Sequence, residues 1–91
     1  MFLFYAVHHP HPEKEALLIR SMRDFGDLIK KQPGIVVVDT FRDRDNGTLL
    51  GVSIWDSRDA FQAALPALQD AFPSEEWEVK PREVHLLASA L

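Results

Sequence analysis

Apolar positions along the chain repeat with two different periods. Residues 2–8 are almost continuously apolar and rich in aromatic side chains, which predicts a strand covered on both faces. The run His8-His9-Pro10-His11-Pro12 ends it, because two prolines offer no ladder N–H and hold the residues before them in extended shapes. From Glu13 to Lys31 the apolar residues Leu18, Met22, Phe25 and Ile29 follow at spacings of four, three and four, the stripe of an amphipathic helix. Glu13 and Glu15 suit its first turn, Lys30 and Lys31 its last, and Gln32-Pro33-Gly34 stops it. Gly26, which costs about 1 kcal/mol relative to Ala inside a helix, predicts a close approach to the sheet or a slight bend.

Two β-rich runs come next, Ile35 to Arg42 and Thr48 to Trp55. The loop between them carries Asn46-Gly47, a pair suited to the positive φ angles of a hairpin, so the two strands should be antiparallel neighbours. Asp56 or Ser57 can cap a second helix whose Phe61, Leu65, Leu68 and Phe72 repeat the earlier spacing. Pro66 lies within it and predicts a kink or two short helices. After a loop at Pro73-Ser74-Glu75-Glu76, Val84 to Ala88 reads as a last strand. The order is βαββαβ, which predicts an α+β fold of the ferredoxin-like type, an antiparallel sheet with two helices on one face.

That architecture leaves the other sheet face bare, yet both faces are apolar. Val36, Val38, Leu50, Val52 and Ile54 compete with Ile35, Val37, Phe41, Leu49 and Trp55 for one covered side. A second copy of the chain is the simplest cover, on the face carrying Val36, Val38, Val52 and Ile54. Length points the same way: 91 residues suit a single domain over 1–91, and a chain this short buries only about 60–65% of its unfolded surface. Composition is that of an ordinary globular protein, 46% hydrophobic and 26% charged. A net charge of -4, from 14 acidic against 10 basic residues, provides no positive field for nucleic acid. The absence of cysteine removes disulfides, thiolate nucleophiles and Cys-type metal sites. The apolar opening has no basic flank and reads as a strand instead of a leader or membrane segment, so a cytoplasmic protein is expected.

Four segments carry a likeness to a known family: a first strand ending in His8-His9-Pro10, then Gln32-Pro33-Gly34-Ile35, then Val52-Ser53-Ile54-Trp55-Asp56-Ser57, then Ala60-Phe61. In these the chain resembles the antibiotic-biosynthesis-monooxygenase family, one of the dimeric α+β barrel groups, over residues 2–88 in order and spacing. The resemblance implies a homodimer whose two sheets close into a barrel, with a pocket in each subunit between helices and sheet. Some members oxygenate aromatic or quinol substrates without metal or flavin, so no cofactor is expected. Haem-degrading proteins of similar fold place an axial histidine on the second helix, and residues 58–72 contain none.

Trp55 matches the tryptophan that the family's third strand often turns towards the pocket. It would stack a planar substrate or donate its indole N–H to an oxyanion; a core tryptophan at a strand end is the plainer alternative. Oxygenating members carry an asparagine four residues earlier, where this chain has Gly51, which cannot donate a side-chain hydrogen bond but leaves room for a larger ligand. A histidine at the end of the first strand would be the base that removes a phenolic or enolic proton before oxygen reacts. Because successive side chains alternate, only one of His8 and His9 points into a given pocket. Tyr5, Phe61 and His85 complete the candidate substrate-binding set, Tyr5 as a hydrogen-bond donor and His85 as a second acid or base. Structural roles, at the rim of a strand or at an interface, are their alternatives. The prolines beside His8, His9 and His11 and the lack of a helical HxxxH argue against a metal site.

The expected function is a cofactor-independent monooxygenase acting on an aromatic or quinol-type compound. Its main rival is a non-catalytic dimer that binds a small apolar ligand or a partner protein. An isomerase or lyase on the same barrel is a further alternative, since a lone histidine base suits proton transfer beside a carbonyl.

Overall fold

The computed structural model describes residues 1–90. Four strands and two helices follow in the expected order: β1 (Phe2–His8), α1 (Glu15–Ile29), β2 (Ile35–Arg42), β3 (Leu49–Trp55), α2 (Arg58–Leu68) and β4 (Glu83–Ala88). The strands form one sheet in the order β2-β3-β1-β4, every neighbour antiparallel, which is the ferredoxin-like arrangement.

Register decides what each face carries. Phe2 and Ile35 lie opposite Trp55, Phe4 and Val38 opposite Ser53, and Ala6 and Thr40 opposite Gly51, all on the side covered by helices. Phe2 and Trp55 pack there with Ile29 of α1 and Phe61, Ala64 and Leu68 of α2; Leu18 and Met22 of α1 bury Leu49 at the other end. The bare side receives Leu3, Tyr5 and Val7 of β1, Leu50, Val52 and Ile54 of β3, and His85 and Leu87 of β4.

In β2 the alternation expected from sequence is broken by an irregularity between Ile35 and Val37, which places Val37 opposite Ile54. One extra residue in a strand turns everything beyond it to the other face. Val38 therefore faces the helices and Val37 and Phe41 share the bare side with Ile54 and Leu50, while Val36 lies at the irregularity, 48% exposed. The bare apolar face is real, but its β2 members are Val37 and Phe41, not Val36 and Val38.

Three local expectations change in detail. Pro12–Lys14 form a 3-10 turn before α1, so the helix proper starts at Glu15. The β2–β3 loop is longer than a two-residue hairpin: Asp43 N–H donates to the Thr48 carbonyl (2.8 Å), Gly47 N–H to the Asp43 carbonyl (3.0 Å), and only Gly47, at φ 73°, has positive φ. Helix α2 is capped by Ser57, whose Oγ accepts from Ala60 N–H at 3.1 Å, and it runs through Pro66 before tightening into a 3-10 turn at Gln69–Ala71. The carbonyl that Pro66 leaves without a partner belongs to Gln62, an exposed residue. Phe72 thus lies beyond the helix, its ring 4.8 Å from that of Phe25. Gly34 (φ 88°) could not be replaced: a Cβ there would sit 2.5 Å from the Ala60 Cβ.

Candidate functional site

The segment after α2 returns along the residues that follow β1. His11 N–H donates to the Trp77 carbonyl at 2.9 Å and Val79 N–H to the His9 carbonyl at 2.8 Å, with a bridge between Pro10 and Glu78. Backbone pairing thereby lays Glu78 beside the end of β1. Its side chain is wholly buried, with Oε2 3.2 Å from His8 Nδ1 and Oε1 accepting His9 N–H at 3.0 Å. Arg82 completes the cluster: Nη2 lies 3.2 Å from Glu78 Oε2 and donates to the Pro73 carbonyl, and the side chain is 9% exposed.

A carboxylate only accepts, so Nδ1 of His8 carries the hydrogen in this pair and the neutral ring keeps its lone pair on Nε2. Burial holds the His8 pKa below its ordinary value of 6.5, and the Glu78 carboxylate opposes that shift without cancelling it. Near neutral pH the imidazole is thus an uncharged, oriented base.

His8 ends a cavity of about 390 Å³ between the sheet and α1, within the size range of small-molecule sites. Phe4, Ala6, Val38, Gly51 and Ser53 form its sheet wall; Met22, Phe25 and Ile29 form its helix wall; Phe72 and Pro73 border it from the loop. Arg82 and Glu75 reach it at the His8 end, and Thr40 and Ser53 add polar groups along the sheet wall. Gly26 lines the cavity as well. A Cβ at that point would rest at an ordinary 3.7 Å from Val38 Cγ2, so the helix does approach β2 but contact does not require glycine.

The residues singled out from sequence are dispersed by the fold. His8 and Gly51 line the cavity. His9 points the other way, its Nε2 3.3 Å from Glu83 Oε2. Trp55, fully buried, is packed edge-on against Phe61 at 5.7 Å, and its indole N–H donates to Ser53 Oγ at 2.9 Å, so the ring and its donor are engaged in the core. Phe61 belongs to the same cluster, its ring 5.4 Å from that of Phe4. Tyr5 and His85 stack at 4.6 Å on the bare face, across the sheet from the cavity. At Gly51 a Cβ would stand 3.4 Å from Met22 Cε, so a residue larger than alanine would crowd Met22. Among the described residues no group of His, Cys, Asp or Glu could hold a metal ion, and no helix is long and apolar enough to cross a membrane.

Glu78 and Arg82 were not foreseen. No local signal marks them: Glu78 stands between Trp77 and Val79, and in an extended segment alternation turns it away from the side those apolar residues share. Nothing local names its partner, 70 residues away in the chain.

Comparison with known proteins places this geometry in context. The profile of antibiotic biosynthesis monooxygenases matches residues 1–68. No curated protein matches by sequence. Among solved structures, a Mycobacterium tuberculosis protein superposes with a TM-score of 0.85 at 20% identity, over 97% of this chain and 93% of its own. A Deinococcus radiodurans protein assigned to the antibiotic biosynthesis monooxygenases gives 0.86 at 16% identity, over 100% and 94%. SnoaB of Streptomyces nogalater, a cofactor-independent oxygenase crystallised as a mutant, gives 0.65 at 22% identity, over 99% and 93%. With its β1-to-α2 framework matched by the family profile and its whole sheet by these structures, the chain belongs to the antibiotic biosynthesis monooxygenase family.

Proposed function

We propose that the protein is a monooxygenase for a flat, largely apolar aromatic or quinol-type molecule, working without metal or flavin, with His8 as the base. The observation that carries the reading is His8 itself, a buried imidazole held by Glu78 at the end of a cavity walled mostly by apolar side chains. The substrate O–H gives its proton to His8 Nε2, and the resulting electron-rich anion is the species that reduces dioxygen. One oxygen atom enters the substrate as a carbonyl, the other leaves as water with two substrate hydrogens, and the substrate supplies all the electrons. A dry cavity favours this chemistry, since water would stabilise the anion and blunt its reactivity. The cofactor-independent chemistry named for the Streptomyces relative supports the same assignment.

A homodimer is part of the proposal. The bare sheet face joins Leu3, Val37, Leu50, Val52, Ile54 and Leu87 into one apolar surface, and Val37, Phe41 and Leu87 are about half exposed in the single chain. Apolar surface of that extent is ordinarily covered.

Gly51 and the engaged Trp55 favour a second reading, a binding protein without turnover, because neither offers a donor to a developing oxyanion. Oxygen consumption separates the two. With 1,4-dihydroxynaphthalene or anthrone and no added metal or flavin, purified protein should take up oxygen well above the buffer rate. Tight binding of either compound with uptake at the buffer rate would establish the binding reading.

A further inference from the structure

The cavity has a chemically distinct end. Arg82 is almost fully buried, and its Nη2 is occupied by the Pro73 carbonyl and Glu78. Its Nε, by contrast, is buried without a hydrogen-bond partner. An unsatisfied buried donor is costly, the more so on a charged group, and asks for an explanation. The nearest carboxylate is that of Glu75, whose Oε1 stands 3.7 Å from Nε, within ion-pair range but beyond a hydrogen bond. Glu75 is anchored differently from Glu78: its side chain is 67% exposed, it sits at the start of a 3-10 turn, and it borders the cavity. One carboxylate at this end is fixed and interior, and the other can swing into water.

From this arrangement we infer that the Arg82 end of the cavity receives the anionic oxygen group, a carboxylate, of an otherwise apolar aromatic ligand, with Glu75 giving way to it. The inference rests on the reading of the cavity as the substrate site and narrows the substrate to aromatic acids. Electrostatics permit the exchange. Before it, the Arg82 charge faces the carboxylates of Glu78 and Glu75; after it, Arg82 faces Glu78 and the ligand, so the charge count of the site is unchanged. Geometry supports it too: Nη2 is already taken by Pro73 and Glu78, and the one unsatisfied donor, the charged Nε–H, suits a single charge-assisted hydrogen bond to a carboxylate oxygen. The apolar body then lies along Phe4, Met22 and Phe25, and the head group lies at the same end as His8.

The test uses 2-naphthoate and its uncharged isostere 2-naphthamide, titrated calorimetrically into the full chain at pH 7.5 under nitrogen. Naphthoate should bind about ten-fold tighter or more, the scale of a charge-assisted hydrogen bond. Glu75→Gln, a change at an exposed side chain that leaves Glu78 and Arg82 in place, should tighten naphthoate several-fold and leave naphthamide unchanged. Arg82→Lys, which keeps the charge but has no Nε–H donor, should erase the preference. Equal affinity for acid and amide, or a Glu75→Gln effect identical for both, would overturn the carboxylate assignment while leaving the cavity a ligand site. Binding of neither would overturn it together with the substrate-site reading beneath it.

Discussion

His8 and His9 are neighbours in the chain and occupy opposite worlds. His8 belongs to the helix-covered face, sealed against Glu78, whose side chain is wholly buried; His9 belongs to the bare face and meets Glu83, 58% exposed. Strand alternation alone accounts for the difference. It teaches that the two faces of this sheet do different jobs: one borders a cavity with an oriented imidazole, the other presents apolar surface to be covered. A histidine–carboxylate contact of similar length, 3.2 or 3.3 Å, has different consequences on each side because burial, not distance, sets its strength.

Removing the two carboxylates breaks that comparison most sharply. Glu78→Ala strands a buried Arg82 and should destabilise the fold by about 3–5 kcal/mol, the cost of orphaning one member of a buried ion pair. Glu83→Ala should cost under about 1 kcal/mol, as exposed pairs do. Urea unfolding of both variants measures the gap, and equal losses would show that the Glu78 cluster is not the buried element described.

Next in size is a charge on the bare face. Ile54 lies between Leu3 and Val37 there, so Ile54→Lys should split the proposed homodimer while leaving the isolated chain folded, since the new ammonium would be buried only in the dimer. Sedimentation equilibrium and circular dichroism report the two halves of that statement. A dimer indifferent to Ile54→Lys would remove this face as the interface.

The smallest effect is on stability against pH. His8 has a folded pKa below 6.5, so the unfolded chain takes up this proton more readily than the folded one. The contribution is fully present above pH 6.5 and is lost as pH falls from 6.5 towards the lowered folded value. The urea midpoint should therefore drop between pH 7.5 and 5.5 in the native protein and drop less in His8→Gln. An equal drop in both would assign the loss to other groups.

The helices and strands were legible in the sequence because each element has one dominant period. The stripe Leu18, Met22, Ile29 is buried as its spacing demands, and Ser57 caps α2 as its position suggested. The identity of the bare face was only partly legible, because the irregularity at the start of β2 reverses Val37 and Val38 and leaves no mark in a run of valines. The cavity was half legible. His8 and Gly51 line it, but Glu78 and Arg82 arrive through backbone pairing of residues 77–79 with 9–11, a long-range contact without local pattern. Trp55 shows the opposite limit: its size and position suit a pocket wall, yet Ser53, two residues earlier, takes its N–H and closes it into the core.

The central claim is that His8, oriented by Glu78, is the base of the cavity, and the pH dependence of oxygen uptake tests it directly. With 1,4-dihydroxynaphthalene as substrate and the buffer rate subtracted, the native rate should rise with pH to a plateau through an apparent pKa below 6.5, the depressed value burial imposes on His8. His8→Gln should lower the plateau by about 10²–10⁴-fold and abolish that limb, whereas His9→Gln should keep both. A His8→Gln protein that retains the native rate and pH limb, or a His9→Gln protein that loses them, would contradict the account.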